Sequence, residues 1–316
     1  MHYAEASDVI SLFGSQLASF SYYKDRYALS LLRWIVGEGA TVRSLKQGPF
    51  ARLLDKPLIK GLCAQHANIT PAVLEATKGP TDFRLTRSLQ TWGWGRWDGE
   101  QTTRPGTNVV LRLDFPEDFV AQSCRWGLGF VVSELRRRNH MQAGDGFNMA
   151  WCRLDFDWDT GEALIEEVQT DWLRNSRSML QGVETWDFDT DAEYFRFQLM
   201  RDFRFKQYYD ERVAPLEAIW AEAMLCAALE FLRDELGICS IYMHSGATGA
   251  QLKGISLGSK PPVSLYQELP RRFGFQQTHE IPAFLSRSWG QMRRDLREKL
   301  SERISTKPVF WKLNLW

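Results

Sequence analysis

The residues whose types and spacing could do chemistry concentrate in one short stretch, EALIEEVQTDW at 162–172. Glu166, Glu167, Gln169 and Asp171 stand there inside a segment that otherwise reads as a strand. Side chains alternate along a strand, so Glu167, Gln169 and Asp171 are expected on one face with Ala163 and Ile165. Glu166 is expected on the other, with Leu164, Val168 and Trp172. Three polar groups in a row on a buried face are costly unless they are paired or functional; a solvent-exposed face is the plainer alternative. Carboxylates so placed are candidates for a general base or for metal ligands. His244 is the one histidine placed like a site residue, at the end of a short apolar strand and facing a Gly-rich loop. Open α/β sheets hold ligands at such strand ends, although a hydrogen-bonded structural histidine is the competing reading. Ser245 and Lys253, in the same loop, could meet a phosphate or a carboxylate.

Several familiar signatures are missing: no GxxxxGK[ST] phosphate loop, no HExxH helix and no GxGxxG after a strand. Gly254-Ile255-Ser256-Leu257-Gly258 matches the GxSxG string of a nucleophile elbow. It is rejected because a loop precedes it and Lys260-Pro261-Pro262 follows, where a strand and a helix are required.

The elements that must position these residues follow from periodicity. Phe147 to Trp172 reads as a long hairpin turning at Thr160-Gly161. The best helix is 215–237, with Pro215 in its first turn, an apolar stripe through Leu216, Ile219, Trp220, Ala223, Ala227 and Phe231, and Gly237 as its stop. ICSIYMHS (238–245) is a short buried strand, VSLYQELPRRFGFQQT a helix running into a strand, and KPVFWKLNLW too aromatic to be a free tail. TNVVLRLDF (107–115) is a strand, followed by a helix from Pro116 that ends on Arg136, Arg137 and Arg138, cations that suit a helix C-terminus. Trp92, Trp94 and Trp97 alternate with glycine as core filler or a stacking surface. Residues 1–80 read as a helical region in which Ile10, Phe13, Leu17 and Phe20 keep one helical period, and 286–303 as an exposed charged helix. The expected organisation is this 1–80 region and an α/β unit over 81–316 with an insertion at about 173–214.

Composition sets the outer bounds. With 316 residues, 44% hydrophobic and 25% charged, the chain is globular rather than disordered. Thirty-nine Lys plus Arg balance 39 Asp plus Glu, which argues against a protein built to coat nucleic acid, though a local patch remains open. Five scattered cysteines form no CxxC pair, and no apolar run reaches 18 residues, so a cytoplasmic protein without a membrane span is expected.

The order hairpin, long helix, short strand, helix with Tyr266, then Gly274-Phe275 on a closing strand resembles the second half of the GNAT N-acetyltransferase fold, over about 147–280. The resemblance implies an α+β fold, a mainly antiparallel sheet flanked by helices. It also implies acetyl-CoA or another acyl-CoA as donor, and a small-molecule or protein amine as acceptor. Glu166 or Glu167 would deprotonate the amine, and Tyr266 would protonate the departing thiolate. The family's glycine-rich pyrophosphate loop should directly follow the second hairpin strand; DWLRNSRSML stands there instead. Gln169, Asp171, Trp172 and Arg174 are the substrate-binding candidates. IEEVQTDW is also similar to an EIQSDW-type module of phage polyvalent proteins, in which the carboxylate row would be a docking surface. Finally, Asp155 (or Asp157) with Glu167 and Gln169 resembles the core of PD-(D/E)xK nucleases, which implies magnesium and a nucleic-acid substrate.

Overall fold

In the computed structural model the described residues are 1–14, 18–80, 83–93, 101–116, 118–129, 135, 147–181, 203–253, 262–289 and 308–315. Trp94, Trp97, Arg136 to Arg138, the 254–258 string, 182–202 of the insertion and 290–303 lie outside them. The described strands are β1 (Ala18–Tyr22), β2 (Ala40–Thr41), β3 (Asn68–Ile69), β4 (Phe83–Trp92) and β5 (Asn108–Asp114). They continue with β6 (Asn148–Asp157), β7 (Glu162–Gln169), β8 (Ser240–His244), β9 (Gln276–Thr278) and β10 (Phe310–Asn314). β2 and β3 form a small two-stranded sheet. The other eight form one sheet in the order β1-β4-β5-β6-β7-β8-β10-β9. Every neighbouring pair is antiparallel except β7 and β8. A parallel pair needs a long crossover rather than a tight turn. Residues between β7 and β8 supply it, with the helical run from Ala214 to Glu235 stopped by Gly237 at φ +72°. The expected α+β class and mostly antiparallel sheet hold. KPVFWKLNLW docks as β10 between β8 and β9, so the chain end completes the sheet.

Two expectations are corrected. Phe20 does not continue the first helix, which spans Tyr3–Phe13 and stops at Gly14; it lies on β1, where Phe20 and Tyr22 are buried and stacked. Helical and alternating spacing coincide over such a short run, and pairing of β1 with β4 decides between them. The 1–80 region is therefore not purely helical. The Gly-rich stretch after β8 is not a loop but a helix, Gly246–Leu252, whose first turn is capped by the Ser245 hydroxyl accepting from the Thr248 N–H.

The two sheet faces differ in kind. One carries the main core: Val109, Leu111 and Leu113 of β5, Cys152, Leu154 and Phe156 of β6, Ala163, Ile165 and Val168 of β7, with Ala223 to Leu229 of the crossover helix. Trp172 belongs to this side, its ring edge-on to Phe115 at 4.8 Å and to Phe119 at 5.3 Å. The opposite face has only small apolar clusters, Val110 with Trp151, and Leu164 with Tyr242, Phe284 and Phe310. Between them lie charges. Because Trp172 is fully buried in that apolar core, Trp172→Ala is expected to cost about 3–5 kcal/mol of stability. Urea unfolding midpoints of the two proteins would measure it; a near-neutral result would remove Trp172 from the core.

Candidate functional site

A β-bulge builds the site. β6 and β7 pair as Leu154 with Ile165 and then as Arg153 with Glu167, so Glu166 is the extra residue of a one-residue slip. The slip reverses the parity of everything that follows. Glu167 and Gln169 join the face of Arg153 and Trp151, while Val168 falls back into the main core. This corrects the simple alternation, which set Glu167 beside Ala163 and Ile165 and Glu166 away from it. Spacing alone cannot reveal a bulge, because the unpaired residue is defined only by the partner strand.

Glu166 and Glu167 now share a buried polar cluster on the face opposite the main core. The Glu166 carboxylate is fully buried and accepts from the Thr103 N–H at 2.9 Å and from the Thr103 hydroxyl at 2.7 Å. His244 Nε2 lies 2.7 Å from the same hydroxyl and 3.3 Å from the carboxylate. Since the Thr103 proton points to Glu166, His244 is the donor toward Thr103, which puts the imidazole proton on Nε2 and leaves Nδ1 a lone pair. Nδ1 is buried and has no hydrogen-bond partner among the described residues. Gly249 lets the helix after β8 close over this ring: a Cβ there would stand 3.1 Å from the His244 Cβ. Desolvation holds the imidazole below its ordinary pKa, against the opposing pull of Glu166. Burial pushes the Glu166 carboxyl up, but hydrogen bonding and charge from His244, then Lys253 and Arg153, outweigh it and set its pKa at about 2.

Glu167 pairs with Arg153, whose side chain is wholly buried and also reaches the Gln101 carbonyl at 3.0 Å and the ring of Trp92. Arg153 Nε and Nη1 have no hydrogen-bond partner among the described residues. The side chain of Lys253, 4% exposed, donates to the Glu166 carbonyl at 2.8 Å and lies 3.8 Å from Glu167; burial lowers its pKa. Burial and the Glu167 charge raise the Tyr266 pKa, against the opposing pull of the Val168 N–H. β8 pairs with β7 only from Glu162 to Ile165, so beyond Ile165 the edge of β7 away from β6 has no partner among the described strands. Lys253 stands along that edge.

The remaining candidates lie elsewhere or are structural. Asp171 is fully buried and accepts from Trp151 Nε1 at 3.3 Å, Gln169 Nε2 at 2.5 Å and Arg174 at 2.9 Å, so it organises the end of β7 and the start of the helix Trp172–Gln181. Arg174 is itself 56% exposed. Trp172 faces the main core, not this cluster. Asp155 is taken by two cations, Arg104 at 2.7 and 2.9 Å and the Met1 ammonium at 3.0 Å. Among the described residues no group of three His, Cys, Asp or Glu is placed to hold a metal ion. Arg153 and Thr103 escaped sequence reading. A lone arginine in the apolar strand FNMAWCRLDF was a usable signal for the first, whereas nothing in the Thr-rich loop distinguished the second. No family model, curated protein or solved structure matches the chain.

The depressed Glu166 pKa has a definite pH signature. Between its ordinary value of 4.5 and about 2, an unfolded chain binds a proton that the folded one refuses, so stability falls as the pH drops through that window. Glu166→Gln should therefore be destabilised at pH 7, on the order of 2–3 kcal/mol, with the gap to the wild type closing toward pH 2. Chemical denaturation at pH 7, 4 and 2.5 checks it; a pH-independent gap would show that the carboxylate is not the charged centre of the cluster.

Proposed function

We propose that the chain is a divergent acyltransferase of the GNAT type, moving an acyl group from a CoA thioester to an amine-bearing acceptor. The observation that carries this reading is the meeting of Glu167 and Tyr266. They are 99 positions apart in sequence, yet close enough for the Glu167 charge to act on the Tyr266 hydroxyl. The strand order supports the same reading, with one parallel pair, β7 and β8, that parts beyond Ile165. A strand edge without a strand partner can pair with an extended ligand through main-chain hydrogen bonds, and the arm of CoA carries amides that could do so. Arg153 Nε and Nη1 and His244 Nδ1, without hydrogen-bond partners among the described residues, give a second support, because they gather in this one cluster.

In this scheme Glu167 accepts a proton from the acceptor amine. The amine attacks the thioester carbonyl, the C–N bond forms as the C–S bond breaks, and Tyr266 gives its proton to the departing thiolate. A phenol whose pKa is raised is protonated at neutral pH, as that role requires. The residues fit the acyl end of the donor better than its phosphate end. The segment after β7 is the helix Trp172–Gln181 beginning at the Asp171 carboxylate, where Arg174 is paired with Asp171 and Arg177 with Glu217. The magnesium-nuclease reading has less support, because Asp155 is neutralised by Arg104 and the Met1 ammonium. A docking surface has less still, since Glu166 and Asp171 are buried.

Thermal unfolding with acetyl-CoA, CoA, magnesium or manganese, each against buffer, separates these classes, because a ligand that binds only the folded state raises the midpoint. A saturable rise with the CoA compounds is expected. A rise with metal alone would replace this reading with the nuclease, and no rise would end it. With acetyl-CoA and a panel of amines, Tyr266→Phe should slow CoA release by ~10²–10⁴-fold. An unchanged rate would remove Tyr266 as the acid.

A further inference from the structure

Lys253 has no part in the scheme above, yet it stands at its centre. It follows the last turn of the helix Gly246–Leu252, and its side chain runs inward until Nζ caps the Glu166 carbonyl at 2.8 Å. Lys253 and Tyr266 both come within electrostatic range of Glu167, which lies beyond Ile165 where β7 has no partner on that edge among the described strands. Glu167 lies 3.8 Å from Nζ. An amine, a carboxylate and a phenol are gathered there, the same three groups that acyl transfer to an amine requires.

A structural cation would be expected to sit in a close ion pair. Lys253 instead makes its short contact with a neutral carbonyl, while the nearer partner of Glu167 is Arg153. Arg153 alone can therefore neutralise Glu167 if the Lys253 charge is lost. Burial also favours the neutral amine, which is the nucleophilic form.

We propose that Lys253 is itself an acyl acceptor: a self-acylation site at the free edge of β7. This rests on the acyl-transfer reading and adds to it the identity of one acceptor. Glu167 takes a proton from the ammonium, and the neutral Nζ attacks the thioester carbonyl. The new C–N bond forms as the C–S bond breaks, the proton of Tyr266 passes to the thiolate, and the amine's second proton leaves to water, which also reprotonates Tyr266. The products are Nε-acyl-Lys253 and free CoA. No oxidant or metal is needed. The product amide keeps an N–H that can still donate to the Glu166 carbonyl, so the cap on β7 survives the loss of charge.

The test incubates the full chain with acetyl-CoA and maps acetyl groups by peptide mass spectrometry, beside thermal unfolding with the same compound. One acetyl group on Lys253 is expected, at higher occupancy than on any exposed lysine, and Tyr266→Phe should lower it. In Lys253→Arg the acetyl-CoA shift should persist while that mark disappears. A thermal shift with Lys253 unmodified, or modified no more than exposed lysines, would overturn the self-acylation site and leave the acyltransferase reading standing. The absence of both shift and mark would overturn both. Should Lys253→Arg not fold, the wild-type peptide map decides alone.

Discussion

The Glu166 carboxylate is the constraint on which the polar half of this molecule depends. It is completely buried, and an isolated carboxylate cannot be taken out of water without compensation. Compensation comes from three places in the chain: Thr103 before β5, His244 at the end of β8, and Lys253 after the next helix. Each must be delivered to within hydrogen-bond or Coulomb range, so the charge fixes how those segments close over one face of the sheet. Arg153 extends the requirement, since a second buried cation needs Glu167 as its counter-charge. Two carboxylates and two basic side chains thus balance on a face where only Glu167 keeps some exposure. Breaking one such pair by removing a single partner costs far more than the net worth of the pair, which is why the cluster behaves as a unit.

That unit exists only because of the bulge. Regular alternation would send Glu166 and Glu167 to opposite faces, one of them into the main core among Ala163, Ile165 and the crossover helix. The extra residue puts both on the polar face and returns Val168 to the apolar one, so a defect in pairing preserves the separation of charge from hydrocarbon. Bulges commonly re-aim side chains near active sites, and this one sits beside the last residues that β8 pairs with.

Much of the fold was legible because it rests on local signals. The hairpin of β6 and β7, the crossover helix with its Gly237 stop, the strand before His244 and the docked aromatic terminus all follow from periodicity, turn glycines and composition. What was not legible depends on partners. Phe20 fits a helix or a strand until β4 pairs with it, and the parity of Glu167 is undefined until Arg153 lies opposite. The site divides the same way. Glu166, Glu167, His244, Lys253 and Tyr266 could be named from residue type and position, but the pairing of Glu166 with His244 through Thr103 joins segments 63 and 141 residues apart. No local pattern encodes that.

Why the site falls where it does can be argued from topology. β7 and β8 are the one parallel pair, and their crossover helix occupies the apolar face. The opposite face at that junction is left to side chains that can satisfy one another, and the strands separate after four paired residues, from Glu162 to Ile165. Beyond that point the edge of β7 away from β6 has no partner among the described strands, and buried backbone groups must still find partners. Lys253 answers that demand at the Glu166 carbonyl with a side chain. Side chains, unlike a strand, can be displaced one at a time or can react. An edge satisfied in this manner holds the sheet together while keeping its most reactive groups against a strand that could accept another extended chain.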